Sequence, residues 1–506
     1  MMTTTPTDQQ DTLAKLKKHL ATTSDLEQIG ALLNWDQNTY MPAGAATARG
    51  QQMATLGRLV HERRLEPSLT DYLDELDAGS FDEDSDDAAT IRVTRRDVAM
   101  AQKIPSDFLE EFTRLQSEGQ HVWAKARADA DFSQFAPTLK KLVDYARRQA
   151  DYLGYDDHPY DALHDLYERG STVAKLRPMF ARLREVTVPL VQDIVEKGRS
   201  IDVAPVQQSF DESKQEQFAV EAVSAFGYDF MHGRLDRTVH PFATELSQYD
   251  VRITTRYQPN FLNPALFGTM HEAGHAMYEQ GSPDRFYRTP LAGGVSLGIH
   301  ESQSRLWENL VGRSRAYWQH AYPRLQEVFP QLDATPLDDF YAAINKVEPS
   351  FIRVEADEIT YNLHVMVRFE VELAMLEGTL DVGDLPDAWN AKYEEYLGVT
   401  PPDDAMGCLQ DIHWSFGAIG YFPTYTLGNV ISVQLFEAAK AAHPSLEEDI
   451  AAGNFTPLFT WLHENIHQHG KKYDPDVLLK KATGRDLDPQ PYLDYLDRKF
   501  RSLYGI

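Results

Sequence analysis

His271-Glu272-Ala273-Gly274-His275 is the segment of this 506-residue chain whose side-chain types and spacing most directly specify chemistry. Four residues of helix turn the chain through roughly 400°, so two imidazoles at that spacing leave one face with Cβ atoms about 5–6 Å apart. That suits two ligands of one tetrahedral zinc. Glu272, beside the first of them, can take the proton of a water that the metal activates. A catalytic zinc also needs a third protein ligand and one open position. Glu279 lies another turn along the same helix and cannot close a tetrahedron with both histidines. Glu301 and Glu308, in the next helical segment, share a face, and spacing alone leaves both open.

The same pattern recurs at His463-Glu464-Asn465-Ile466-His467. Its continuation misses the extended three-histidine zinc signature because Tyr473 stands where the third histidine would be. No glutamate follows Glu464, and the downstream aspartates lie in a Pro-rich polar stretch. This second segment therefore reads as a surface or packing helix, not a metal site.

The elements that must position the first motif follow from local patterning. Asn263 as cap, Pro264 in the first turn and Gly281 beyond the end predict one helix around His271 and His275. Apolar or β-branched side chains alternate from Asp250 to Tyr257, which predicts a strand; with Thr238 to Phe242 before it, a small sheet precedes the helix. Most other segments carry apolar residues three and four apart, punctuated by Pro and Gly. The expected fold is mainly α, a single domain over 1–506. Its helical N-terminal half (about 1–235) meets a zinc-bearing C-terminal half (about 236–506) near the irregular stretch Gly198 to Ser213. The acidic stretch Asp71 to Asp87 reads as an exposed loop between helices.

Composition excludes several functions. The 77 acidic against 49 basic residues give a formal charge of −28, which disfavours nucleic acid and anionic membrane surfaces as partners. The excess fits either a well-solvated surface or adaptation to high salt. The first twenty residues lack the apolar core of a secretory signal, and no run approaches the roughly 20 apolar residues that span a bilayer. One cysteine, Cys408, rules out an internal disulfide and fits a reducing compartment. The expected location is cytoplasmic.

Six motifs in order resemble those of the carboxypeptidase Taq family, thermostable metallocarboxypeptidases, across nearly the whole chain. They are His240-Pro241-Phe242, Asp250-Val251-Arg252-Ile253-Thr254, the H-E-x-x-H, His300-Glu301-Ser302-Gln303, Ile352-Arg353-Val354-Glu355-Ala356-Asp357, and Gly407-Cys408-Leu409-Gln410-Asp411-Ile412-His413-Trp414. The resemblance implies that Glu301, not Glu308, is the third ligand. It also implies an elongated helical homodimer with a long substrate groove and the sheet beside the zinc, and leaves the second H-E-x-x-H outside the metal site. Cobalt and manganese suit the same two-histidine, one-glutamate donor set.

An enzyme that removes C-terminal residues from peptides must hold a terminal carboxylate, which a guanidinium does with two parallel hydrogen bonds. Arg353 is the leading candidate. It opens a polar stripe through Asp357, Tyr361, His364 and Arg368, which as bare sequence reads equally well as a solvated helix face; family similarity turns it to the groove. Between Gln410 and Tyr425, His413 and Tyr421 are expected in the site as donors to a developing oxyanion, with Gln410 against the substrate and Tyr425 as packing. His240 and Arg252 are further candidates for substrate contact. Asp250, His300 and Asp357 are candidates for orienting a zinc histidine or Glu272 from behind. The nearest rival reading is a zinc oligopeptidase or endopeptidase without a carboxylate anchor. A non-catalytic peptide-binding scaffold is disfavoured because a structural metal has no use for Glu272.

Overall fold

The H-E-x-x-H segment lies within the helix Asn263–Gln280 of the computed structural model, which describes residues 6–76 and 78–506. The helix forms where expected, with its start shifted by one residue. Asn263 is its first residue and not its cap, because Leu262 is already helical and gives its N–H to Val206 O at 3.0 Å. One face buries Leu266, Phe267, Met270, Ala273, Met277 and Tyr278. Each large apolar side chain so buried stabilises the fold by about 1.5–3 kcal/mol, which anchors the polar face.

That apolar face packs on the helix Glu212–Phe226 and on a three-stranded sheet of β1 (Gly233–Arg237), β2 (Ala243–Ser247) and β3 (Asp250–Thr255), ordered β1-β3-β2. β1 runs parallel to β3 with Arg234 beside Arg252, and β2 runs antiparallel with Thr244 beside Arg252. The alternation read from Asp250 onward is real, since Val251 and Ile253 are fully buried. Thr238 to Phe242 is the connection between β1 and β2, not a strand. Pro241 has no N–H to give a ladder, and the Thr254 hydroxyl instead accepts from Phe242 N at 2.8 Å.

Three other local readings change. Arg353–Glu355 is a single 3₁₀ turn and the following helix, Thr360–Glu377, begins only after Asp357 has capped it, so the polar stripe is not one helix face. Asp71, Asp74 and Glu75 belong to the helix Pro67–Glu75, while Asp86 and Asp87 open the helix Asp86–Lys103, where their charge favours the N-terminal end. Between these helices Ala78–Ser80 is a 3₁₀ turn and residues 81–85 are the loop expected for the whole acidic stretch, while residue 77 lies outside the described residues.

The largest apolar cluster runs from Phe108 to Tyr504, across residue 235. A smaller one joins Leu13, Leu16, Leu69, Leu73, Leu76, Ile91 and Val98. The N-terminal helix Pro6–Thr39 reaches the sheet where Trp35 lies under the Arg252 guanidinium at 4.2 Å and Tyr40 donates to Asp236. Among the described residues no helix is long and apolar enough to cross a membrane.

Candidate metal centre

His271, His275 and Glu301 bring one ligand atom each to within 4.8 Å of one another. Glu301 lies on the helix Leu297–Arg305, which continues as a π turn over Leu306–Gly312. The helix is started by Glu168, whose carboxyl accepts from Gly298 N at 2.7 Å and Ser296 Oγ at 2.9 Å, so the orphan donors of that end are satisfied. Two glycines let the neighbouring helices close around it. A methyl at Gly274 would sit 2.6 Å from Ser304 Cα, and one at Gly428, on the helix Pro423–Ala442, would sit 2.4 Å from Glu301 Cγ.

Glu301 Oε2 stands 3.7 Å from His271 Nε2 and 3.4 Å from His275 Nε2. The edge of a tetrahedron with zinc–ligand bonds of about 2.1 Å is roughly 3.4 Å, so the three atoms fit a tetrahedral cation. The remaining atom of each group is already occupied. Arg305 Nε donates to Glu301 Oε1 at 2.7 Å, His271 Nδ1 to Glu308 Oε2 at 2.9 Å, and His275 Nδ1 lies 2.5 Å from His300 Nδ1. Each group therefore keeps one free lone-pair atom, and the free atoms converge.

Burial sends the His275 imidazole down to about 4, which keeps it neutral. Burial opposes charge on Glu301 as well, but Arg305 and the two histidines hold its carboxyl well below the usual range. Glu272, 7% exposed, is pushed up to about 7 by burial; His271 opposes this and the charges of Glu301 and Glu308 add to it.

A second cluster joins this one through Tyr361, whose ring lies 4.3 Å from the Arg305 guanidinium and whose hydroxyl accepts from Arg353 Nη1 at 2.9 Å. Arg353 also donates to Asp411 Oδ1 from Nε and Nη2, at 3.0 and 2.7 Å, and Arg368 Nε donates to Asp411 Oδ2 at 2.7 Å. Arg353, Arg368 and Asp411 are 5%, 0% and 8% exposed. His413 adds no charge, because burial lowers it to about 4. Two buried cations thus share one anion. The ring of Tyr425 lies 4.8 Å from the Arg353 guanidinium, and its hydroxyl is 3.4 Å from His413 Nε2, so Tyr425 belongs to the cluster and is not remote packing. The Tyr421 ring lies tilted against His413, with centroids 5.1 Å apart. Their loop is held by the buried carboxyl of Glu372, which accepts from Trp414 Nε1 at 2.8 Å and Gly420 N at 3.2 Å.

Other residues singled out by sequence make different contacts. Gln410 accepts from the Arg353 backbone N–H at 2.9 Å and donates to carbonyls of Phe351, Met406 and Gly407, so it fixes the Arg353 turn. Arg252 is paired with Asp250 at 2.8 and 2.7 Å and stacked on Trp35. Asp357 caps the helix behind Arg353. His240 is exposed on the β1–β2 connection and hydrogen-bonds to none of the three converging groups. His467 of the second H-E-x-x-H is buried against Gln303 Oε1 at 2.9 Å and lies in a 3₁₀ turn after its helix has ended, which breaks the two-ligand face. Sequence reasoning passed over Arg305, although it lies four residues from Glu301 on one helix face, and Asp411, which no local period announces.

The fold and centre define a helical H-E-x-x-H metallopeptidase. Residues 15–500 match the family described as carboxypeptidase Taq (M32) metallopeptidase, and the chain belongs to that family. It is 43% identical over 494 residues to thermostable carboxypeptidase 1 of Thermus thermophilus, covering 96% of this chain and 97% of that protein. It is 40% identical over 482 residues to carboxypeptidase 1 of Bacillus subtilis, covering 95% and 96%. The crystal structure of the M32 carboxypeptidase from Deinococcus radiodurans R1 superposes with a TM-score of 0.95 at 43% identity, covering 98% of this chain and 100% of that one. The protein is a metallocarboxypeptidase, a hydrolase.

Proposed function

We propose that His271, His275 and Glu301 hold one Zn2+ and that the enzyme releases single amino acids from peptide C-termini with Glu272 as general base. The observation that carries this reading is the convergence of three free ligand atoms at tetrahedral spacing beside a buried carboxyl. Zinc bound there supplies Lewis acidity, polarising the scissile carbonyl and lowering the pKa of water. Cobalt or manganese fit the same donors. Glu272 takes the proton of the attacking water and returns it to the leaving amine nitrogen as the C–N bond breaks. A carboxyl near 7 is poised for both transfers, and a cation alongside favours its ionised form.

Arg353 binds the terminal carboxylate. Its five N–H groups make three hydrogen bonds within the protein, to Asp411 twice and Tyr361 once, which leaves two for a ligand. The cluster's one uncompensated positive charge is costly while buried and is offset by an anion. His413 and Tyr421, beside the Arg353 cluster, are donors to the same ligand in this reading; His413 Nδ1 is buried 4.0 Å from Asp411 Oδ1 and makes no hydrogen bond. His300 and Glu308 orient the two histidines. Gln410 and Asp357 act on Arg353 and the following helix from behind, and Arg252 with Asp250 ties the sheet to the N-terminal helix. His240, exposed near the sheet, remains a candidate contact for longer peptides. A homodimer acting in the cytoplasm belongs to the same reading, supported by the family resemblance and by the single buried cysteine.

Glu272→Gln tests the mechanism. The variant should keep its metal and lose at least about 1,000-fold in kcat on a short peptide, followed by mass of the released residue. Turnover at a near wild-type rate refutes the role. Amidating the peptide C-terminus separates this reading from an endopeptidase, which would tolerate the change.

A further inference from the structure

His275 turns Nε2 towards Glu301 and Nδ1 towards His300. For Nε2 to offer a lone pair to a cation, a neutral imidazole must carry its proton on Nδ1, so His275 donates and His300 Nδ1 accepts. His300 then carries its own proton on Nε2, where it donates to Glu279 Oε1 at 2.6 Å. Glu279 is 8% exposed in the last turn of the H-E-x-x-H helix, and the same oxygen accepts from Gly294 N at 3.2 Å.

The chain of contacts does not end there. Glu245, half-buried on β2, stands on the same side of Gly293 as Glu279, whose Oε2 is buried without a hydrogen-bond partner. A methyl at Gly293 would sit 2.9 Å from Glu279 Oε2 and 3.3 Å from Glu245 Oε2, so both carboxyls reach the same small space. Neighbouring carboxyls of like charge disfavour each other's ionisation. The donors decide between them: His300 and Gly294 both serve Glu279, with the exposed Lys471 adding charge from outside. Burial opposes charge on Glu279 but His300 outweighs it, whereas burial and the Glu279 charge together push Glu245 up.

We propose that Glu279 is a positioning residue of the metal centre: as the anionic end of a His275–His300–Glu279 relay, it fixes which nitrogen of His275 is free, with Glu245 a neighbour outside the relay. The relay rests on the metal-site reading above. Glu279 hydrogen-bonds to neither of the histidines at the metal nor to Glu301, and it acts through His300.

Zn2+ affinity of metal-free protein, measured by titration against a competing chelator, tests this with two amides of equal shape. Glu279→Gln removes the anion and should weaken binding roughly 10- to 100-fold. Glu245→Gln changes the neighbouring carboxyl outside the relay and should leave affinity unchanged. His300→Asn breaks the chain one link earlier and should lose the same factor as Glu279→Gln, which covers the case in which that variant folds poorly. With Co2+ in place of Zn2+, the visible absorption band should shift in Glu279→Gln and not in Glu245→Gln, a signature that a purely structural carboxyl would not give. Wild-type affinity in both Glu279→Gln and His300→Asn, or an equal loss in Glu245→Gln, overturns the relay alone. If wild-type protein binds Zn2+ no more tightly than Glu301→Gln does, the metal-site reading fails and the relay with it.

Discussion

Replacing Gly428 by alanine would place a methyl carbon 2.4 Å from Glu301 Cγ, 2.5 Å from its Cβ and 3.0 Å from its carbonyl carbon. Carbon atoms in ordinary contact stand about 3.5–4.0 Å apart, so Glu301 would have to retreat by more than about 1 Å. The backbone contact shows that a rotamer change alone cannot absorb the clash; the two helices must also part. Metal ligands tolerate displacements of only about 0.2 Å. The expected result is a loss of roughly 10- to 100-fold in Zn2+ affinity, about 1.4–2.7 kcal/mol. Overpacking should also destabilise the metal-free protein by about 1–3 kcal/mol. Chelator-buffered Zn2+ titration reads the first quantity and thermal melting of the metal-free protein the second. If Gly428→Ala bound Zn2+ as tightly as the wild type and melted at the same temperature, the close approach of the helix Pro423–Ala442 to Glu301 would not govern the ligand's position.

Arg353→Lys keeps the charge but loses the fork, so kcat/KM on peptides with a free C-terminus should fall on the order of 100-fold. The residual rate on amidated peptides should stay unchanged, and an equal fall on both would remove Arg353 from carboxylate recognition. Glu372 gives a pH prediction for the metal-free protein. Burial raises its folded value to about 7, above the ordinary 4.5, so the folded state holds a proton that the unfolded state has released. Stability should therefore fall as pH rises from about 4.5 to about 7 and level off above that. Glu372→Gln should flatten that part of the melting-temperature profile; an unchanged slope would mean the carboxyl is ionised throughout.

The two histidines were legible because their geometry is local: four residues on one helix fix two imidazoles before any tertiary contact forms. The third group was not. Glu301 and Glu308 both reach the pair, one at Nε2 and the other at His271 Nδ1, and which does which depends on how closely Gly274 and Gly428 let three helices meet. Arg353 and Asp411 are 58 residues apart and pair through a turn that begins no helix, so no periodicity could announce them. The strand at Asp250 was readable from its alternation. The segment at Thr238 to Phe242 carries similar residues but serves as a crossing between strands, because parallel pairing of β1 with β3 leaves it to bridge the sheet.

An anomalous-difference map from a crystal grown with Zn2+ tests the central claim most directly. One peak per chain is predicted, about 2.0–2.2 Å from His271 Nε2, His275 Nε2 and Glu301 Oε2, with no fourth protein ligand. A principal peak at Glu308 or at the His463–His467 pair, or one closed off by a fourth side chain, would contradict it.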